Sequence, residues 1–202
     1  MFARGFATWA VGAGHTVTIV GFNRGQAEQL VKDIQSGRAA GPGDPLLDDM
    51  IFMAMPYNCV LDARDFYGKQ LDGKIVVDLT TPIDVATLEP IYPEAGSAAQ
   101  EISKRRPGAR VLKAFHPRFA GAMAPEKTPE KVHEVLLAGD DAEAKRRVAK
   151  LFKDGGLLPI DVGPLRRARE LETVGYLRVV MGLSLESILV PGPPAWDHPR
   201  SA

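Results

Sequence analysis

The sequence predicts an α/β fold, a doubly wound and mostly parallel sheet covered by helices, and three observations carry that expectation. Short β-branched or apolar runs alternate with helical stretches along the chain. The runs at 50–55 and 74–79 are apolar nearly throughout instead of alternating, as strands buried on both faces are. The intervening helical stretches are long enough for crossover connections, whose right-handedness gives the doubly wound arrangement.

Taken in order, residues 4–13 read as a helix, with Gly14 where a left-handed cap is wanted. Residues 16–20 are β-branched and strand-like, and Gly21 stops them. Residues 26–34 are helical again, while 36–45 turn glycine- and proline-rich, so any strand there is weak. Residues 50–55 read as a fully buried strand ended by Pro56, followed by a helix over 59–67 and a second continuous apolar strand over 74–79. A helix at 97–105 and strands at 110–114 and 135–138 come next. Residues 142–154 form an amphipathic helix with Val148, Leu151 and Phe152 on one side. A last strand at 157–162 precedes a mostly helical stretch from 165 to about 189, and the proline-rich tail from Pro191 is expected to be disordered. The expected division is one α/β domain over 1–163, a helical segment over 164–190 and the tail 191–202.

Composition narrows the function classes. The 25 basic and 25 acidic residues cancel, so no net field points to nucleic acid or an anionic membrane. The basic clusters Lys104-Arg105-Arg106, Lys145-Arg146-Arg147 and Arg166-Arg167 sit beside helical patterns and read as solvated helix faces. A single cysteine, Cys59, excludes an intramolecular disulfide and a cysteine-based metal cluster, and reads as a buried small hydrophobe. No apolar run reaches the ~18 residues of a membrane span. The first residues lack the pattern of a signal peptide, so a cytoplasmic protein is expected.

In a doubly wound sheet, ligands bind beyond the carboxyl ends of the strands, so the loops there are the candidate site. Gly21-Phe22-Asn23-Arg24 follows one strand. A site selecting NAD usually places a carboxylate here for the ribose 2′-hydroxyl, but none appears before Glu28. Asn23 and Arg24 stand there instead, and a guanidinium matches a 2′-phosphate bidentately, which favours NADP. Met55-Pro56-Tyr57 follows the next strand; Pro56 stiffens the loop into a flat wall for a ribose or nicotinamide, or simply ends the strand. Thr80-Thr81-Pro82 brings hydroxyls to the same rim, and Phe115-His116 an imidazole that either faces a bound cofactor or is structural. The usual order of strand, G-x-G-x-x-G/A, helix is not met, because only Met1-Phe2-Ala3 precedes the helix at 4–13. The first strand and first two phosphate-loop glycines are thus expected to be missing. An internal methionine of a longer gene, which we prefer, and a shortened protein with a weak grip on dinucleotide both fit.

Several segments are more specific than the fold requires. They are Ala13-Gly14-His15-Thr16-Val17, Asp72-Gly73-Lys74-Ile75-Val76-Val77-Asp78, Val111-Leu112-Lys113-Ala114-Phe115 and Ala138-Gly139-Asp140-Asp141. To these add the string from Leu157 through Gly163-Pro164-Leu165 to Ala168-Arg169-Glu170-Leu171-Glu172. On these residues the chain, from residue 1 to about 177, resembles the coenzyme F420-dependent NADP oxidoreductase family. That family shares its Rossmann domain with the pyrroline-5-carboxylate reductase N-terminal domain and the STEAP reductase domain.

The resemblance implies hydride transfer between NADPH and coenzyme F420 or a flavin, by ring positioning without a catalytic acid–base set. It places Phe2 and Ala3 at the end of the phosphate loop and Asn23 and Arg24, where the family commonly has Ser-Arg, at the 2′-phosphate. It places Pro56 beside the nicotinamide ribose and His116, where many relatives have Asn, near the second cofactor. Gly163-Pro164-Leu165 leads into a C-terminal helix that closes over that cofactor or forms a dimer contact, and Glu170 and Glu172 read equally well as surface charges of that helix. Leu177, Val180, Met181, Leu185 and Leu189 form an apolar face that suits a homodimer or ordinary packing on the sheet equally. Two further functions stay open. One is NADPH-dependent reduction of a small imine or carbonyl, which normally needs a longer helical substrate domain. The other is a non-catalytic nucleotide-binding or scaffolding protein.

Overall fold

The computed structural model describes residues 2–116 and 133–181. In chain order the elements are α1 (Phe2–Gly12), β1 (Thr18–Val20), α2 (Arg24–Ile34), β2 (Arg38–Ala40), β3 (Met50–Met53), α3 (Tyr57–Tyr67) and β4 (Ile75–Asp78). They continue with α4 (Ala98–Arg105), β5 (Arg110–Phe115), β6 (His133–Gly139), α5 (Ala142–Asp154), β7 (Leu157–Gly163) and α6 (Ala168–Met181). Local chemistry explains the boundaries. Asn23, Ser97 and Asp141 each hold extended backbone and accept from an amide three residues on, capping α2, α4 and α5. Gln35 ends α2 in the left-handed region at φ 55°. Helix α3 starts at Tyr57, earlier than its sequence pattern suggested, because Pro56 supplies a helix-compatible start and needs no amide partner.

The strands fall into two sheets. Strands β3-β4-β5-β6-β7 form a five-stranded sheet in that order, parallel except where β6 runs antiparallel to β5. Strands β1 and β2 pair in parallel as a separate two-stranded sheet. The expectation of a fully buried strand over 50–55 needs correcting. Only Met53 is buried within β3, whereas Met50, Ile51 and Phe52 are half-buried, because β3 pairs with β4 alone and its other edge faces a cavity. Strand β4, held on both edges, is buried along its whole length.

The five-stranded sheet carries apolar layers on both faces. Val77, Leu112, Leu137, Val148 and Phe152 pack in one, and Val60, Leu71, Val76, Ile102 and Leu165 in the other. Helix α1 enters the first layer through Phe6, whose ring lies 4.4 Å from that of Phe52, and through Trp9, 5.4 Å from Phe152. The Trp9 indole donates to the Gly155 carbonyl at 3.0 Å. Helix α5 matches its expected amphipathic reading, burying Ala144, Val148 and Phe152. After β7 a short 3-10 turn at Leu165–Arg167 leads into α6. Leu185, Leu189 and the tail from Pro191 lie outside the described residues. Among the described residues, no helix is long and apolar enough to cross a membrane.

Candidate functional site

The carboxyl ends of β1, β3, β4 and β5 open on one cavity of about 1390 Å³. Ala3 of α1, Gly21 after β1, Met55-Pro56-Tyr57 after β3, Thr80-Thr81 after β4 and Phe115-His116 at the end of β5 all line it. A second, shallower cavity of about 570 Å³ beside α4 and Pro164-Leu165-Arg166 touches none of these loops.

At the β1 end the turn into α2 is tight. A Cβ on Gly21 would stand 2.8 Å from the Asn23 carbonyl oxygen and 3.1 Å from the Ala27 nitrogen, so only glycine fits between strand and helix. Asn23 and Arg24 do not line the cavity. The Asn23 side-chain oxygen is taken by the Gln26 amide at 2.9 Å, and Arg24 is exposed and paired with Asp44. The Gly41 amide, 2.9 Å away, is the main influence holding the Asp44 carboxyl below the usual range; burial opposes it and Arg24 assists. No acidic residue occupies the first turn of α2, which leaves its positive end uncompensated.

The other rim residues divide by what their polar atoms already do. Pro56 is exposed, and the buried Tyr57 ring borders the cavity while its hydroxyl donates to Glu101 at 2.7 Å. Burial first, then the Glu101 carboxylate, pushes the Tyr57 phenol well up, so it stays protonated. The Thr80 hydroxyl donates to Asp78 Oδ1 at 2.7 Å and its amide to the same oxygen at 2.9 Å, so this side chain shapes the loop. Thr81 is half-buried at the rim. Phe115 and His116 are buried, the His116 ring 5.9 Å from that of His133. Phe2 opens α1, and Ala3 follows it at the cavity wall. Cys59 is half-buried on α3 and borders the cavity, less enclosed than its sequence reading suggested, because α3 flanks open space there.

Sequence reasoning missed a buried cluster behind this rim. Lys113 on β5 is 1% exposed, and its ammonium lies 2.8 Å from Asp78 Oδ2 and 3.2 Å from Glu172 Oε1. It also donates to the Thr80 carbonyl. Of the two readings open for Glu172, the surface-charge one is excluded, since this side chain turns inward from α6 and meets Lys113. Glu170 remains exposed, 3.3 Å from Arg167. Burial pushes the Glu172 carboxyl up to about 7, with Lys113 opposing and Asp78 reinforcing the rise. Burial disfavours the charged lysine, yet Asp78 and Glu172 together hold Lys113 above its ordinary value. One signal was available: a lysine and an aspartate stood inside otherwise apolar strand runs. Helix α6 adds Gly175, Arg178 and Val179 to the cavity wall, and among the described residues no His/Cys/Asp/Glu group is arranged to hold a metal.

Parallel strands with crossover helices and a cavity at their carboxyl ends define the Rossmann-type class of nucleotide-binding folds. Comparison with known proteins carries this further. No protein-family model matches the chain. Over 200 residues it is 29% identical to metalloreductase STEAP3 of Rattus norvegicus, covering 95% of this chain and 38% of that protein. Over 144 residues it is 26% identical to the F420-dependent NADP reductase of Methanocaldococcus jannaschii, covering 69% of this chain and 64% of that one. The chain thus spans under two thirds of the length of either relative.

Among solved structures, a hypothetical protein from Sinorhizobium meliloti superposes with a TM-score of 0.72 at 25% identity, covering 81% of each chain. A protein of Arthrobacter sp. FB24 assigned as an F420-dependent NADP-reductase superposes with a TM-score of 0.76 at 24% identity, covering 91% of each chain, a likeness of fold. The chain is a homologue of F420-dependent NADP reductase and of the STEAP metalloreductases, in line with the resemblance its sequence carries.

Proposed function

We propose that this chain binds NADP(H) in the strand-end cavity and passes hydride between the nicotinamide and a second redox ring, coenzyme F420 or a flavin. The observation that carries the reading is convergence: the loops after four strands and the start of α1 border one space. Its volume of about 1390 Å³ exceeds the roughly 300–1,000 Å³ of ordinary small-molecule sites, as a dinucleotide beside a second ring requires. The names of the relatives support the same cofactor class: one is an F420-dependent NADP reductase, and an imine reductase of the same fold from Myxococcus stipitatus is a complex with NADP+.

In this reading the first-turn amides of α1 at Phe2 and Ala3 face the pyrophosphate. Gly21 lets the β1–α2 turn approach the adenosine ribose. Asn23 and Arg24, at the unopposed positive end of α2, take the 2′-phosphate, with Arg24 exchanging Asp44 for it. Met55, Pro56 and Tyr57 form a stiff wall beside the nicotinamide ribose, Thr80 and Thr81 border the nicotinamide, and Phe115 and His116 meet the second ring. NADPH supplies the hydride; the chain's own residues hold the rings at transfer distance and exclude water, with no group acting as acid or base. A cytoplasmic setting, the division at 163/164 with a tail from 191, and a homodimer over the exposed Leu177 and Val180 belong to the same reading.

The test is titration of the chain with NADPH and NADH, followed by nicotinamide fluorescence, and then addition of oxidised F420, FAD or FMN. NADPH is expected to bind more tightly than NADH, and Arg24→Glu to erase that preference by about tenfold, near 1.4 kcal/mol. Nicotinamide absorbance is expected to fall only when a second ring is present. Failure to bind NADPH, both by the chain and by a version carrying a strand and glycine loop ahead of α1, rejects the reading.

A further inference from the structure

The charged cluster at Asp78, Lys113 and Glu172 borders no part of the cavity, and all three of its side chains are buried. An isolated ammonium in an apolar layer is costly, so its partners must be geometrically good. Here they come from three elements: Asp78 from β4, the Thr80 carbonyl from the loop after it, and Glu172 from α6. Glu172 also accepts from the Ala98 amide at 3.1 Å and 3.2 Å with its two oxygens, which brings in the first turn of α4. Asp78 in turn holds the Thr80 amide and hydroxyl. One ammonium therefore links the strand end, the rim loop and two helices.

The next turn of α6 gives this linkage its consequence. A Cβ on Gly175 would stand 2.5 Å from Thr81 Oγ1 and 3.2 Å from Phe115 Cε2, so the α6 backbone rests directly on the rim. Gly175, Arg178 and Val179 then form cavity wall beside Thr80 and Thr81. Apolar contacts alone would bury α6 without fixing its rotation or its slide, because they are non-directional. Leu177 and Val179, each 41% exposed, and Val180, 44% exposed, contribute little hold on that side.

We propose that Lys113 is a positioning residue, whose buried ammonium ties the end of β4 to α6 and so sets where Gly175, Arg178 and Val179 stand in the cavity wall beside Thr80–Thr81. The effect on ligand rests on the cavity being the NADP(H) site; the seating of α6 does not. Lys113 touches no cavity and is not a catalytic residue.

The test compares the full chain with Lys113→Met and with the triple variant Asp78→Asn/Lys113→Met/Glu172→Gln. The single variant leaves two buried carboxyl groups without their cation and is at risk of misfolding; the triple variant removes all three charges and keeps the volumes. Amide hydrogen exchange is measured across the chain, together with NADPH binding by nicotinamide fluorescence. In the triple variant, exchange in residues 168–181 and 79–83 is expected to rise at least tenfold while β6 and α5 keep wild-type protection, and the NADPH Kd is expected to rise about tenfold. Unchanged exchange in α6 overturns the proposal, as does an unchanged Kd with loosened α6. If neither the parent chain nor the version carrying a strand and glycine loop ahead of α1 binds NADPH, the functional reading fails, and the exchange measurement alone decides whether Lys113 seats α6.

Discussion

The two sheets of this molecule are built from similar residues and live under different conditions. Strand β4, Ile75–Asp78, has a partner on each edge and a helical layer on each face, and every residue in it is buried. Strand β1, Thr18–Val20, has one partner, and every residue in it is half-buried. All of Thr18, Ile19 and Val20 border the cavity, and so do all of Met50, Ile51, Phe52 and Met53 of β3. Consecutive residues rather than alternate ones border it, so each strand presents an edge there. β-branched content makes a strand; paired edges make it core.

The strongest way to break this contrast is a truncation in each layer. Phe152→Ala is expected to cost about 3–5 kcal/mol in urea unfolding, since the ring is fully enclosed by the five-stranded sheet and α1. Ile19→Ala in the two-stranded sheet is expected to cost only about 1 kcal/mol, and equal losses would erase the distinction. Next comes pH. The folded-state value of Glu172 is raised to about 7 from an ordinary 4.5, so the folded chain holds this proton more tightly than the unfolded one. Its contribution is present below pH 4.5 and is lost as pH rises through 7, by roughly 3 kcal/mol. Glu172→Gln should remove that slope, and parallel stability–pH curves for variant and parent would count against the assignment.

A smaller effect tests the open edges themselves. An apolar five-residue strand tethered ahead of α1 through a glycine turn is expected to slow amide exchange in β1 and β3 about tenfold, near 1.4 kcal/mol of added protection. A tethered strand of alternating lysine and glutamate should not. The smallest expected effect is Asn23→Ala, which removes the cap of α2 for about 1 kcal/mol, seen as faster exchange in its first turn.

Legibility in the sequence followed the same contrast. Helix α5 could be read to the residue, because a 3.6 period with Asp141 as cap leaves no competing arrangement. The apolar run at 74–79 correctly announced a buried strand. The equally apolar run at 50–55 did not, because no local pattern says whether a second edge will be paired. Gly21, the Pro56 loop, the threonines and His116 were picked from their position after strands, and the structure brings them to one cavity. Asn23 and Arg24 were picked the same way but do not border the cavity, and their existing partners were invisible: a cap to Gln26 is local and plausible in advance, whereas the Asp44 pairing depends on how β2 leads away. Glu172 stayed undecided because a helix of low amphipathic contrast gives no clue to which charge turns inward.

Trp9 has an optical consequence. Its indole is anchored to the Gly155 carbonyl and packs against the rings of Phe6 and Phe152, and Phe6 itself borders the cavity. The chain's other tryptophan is Trp196, in the proline-rich tail. With Trp196→Phe as background, Trp9 becomes a single built-in emitter, one aromatic ring removed from the space where a reduced nicotinamide would absorb its light. Its quenching would report occupancy without any label on the protein.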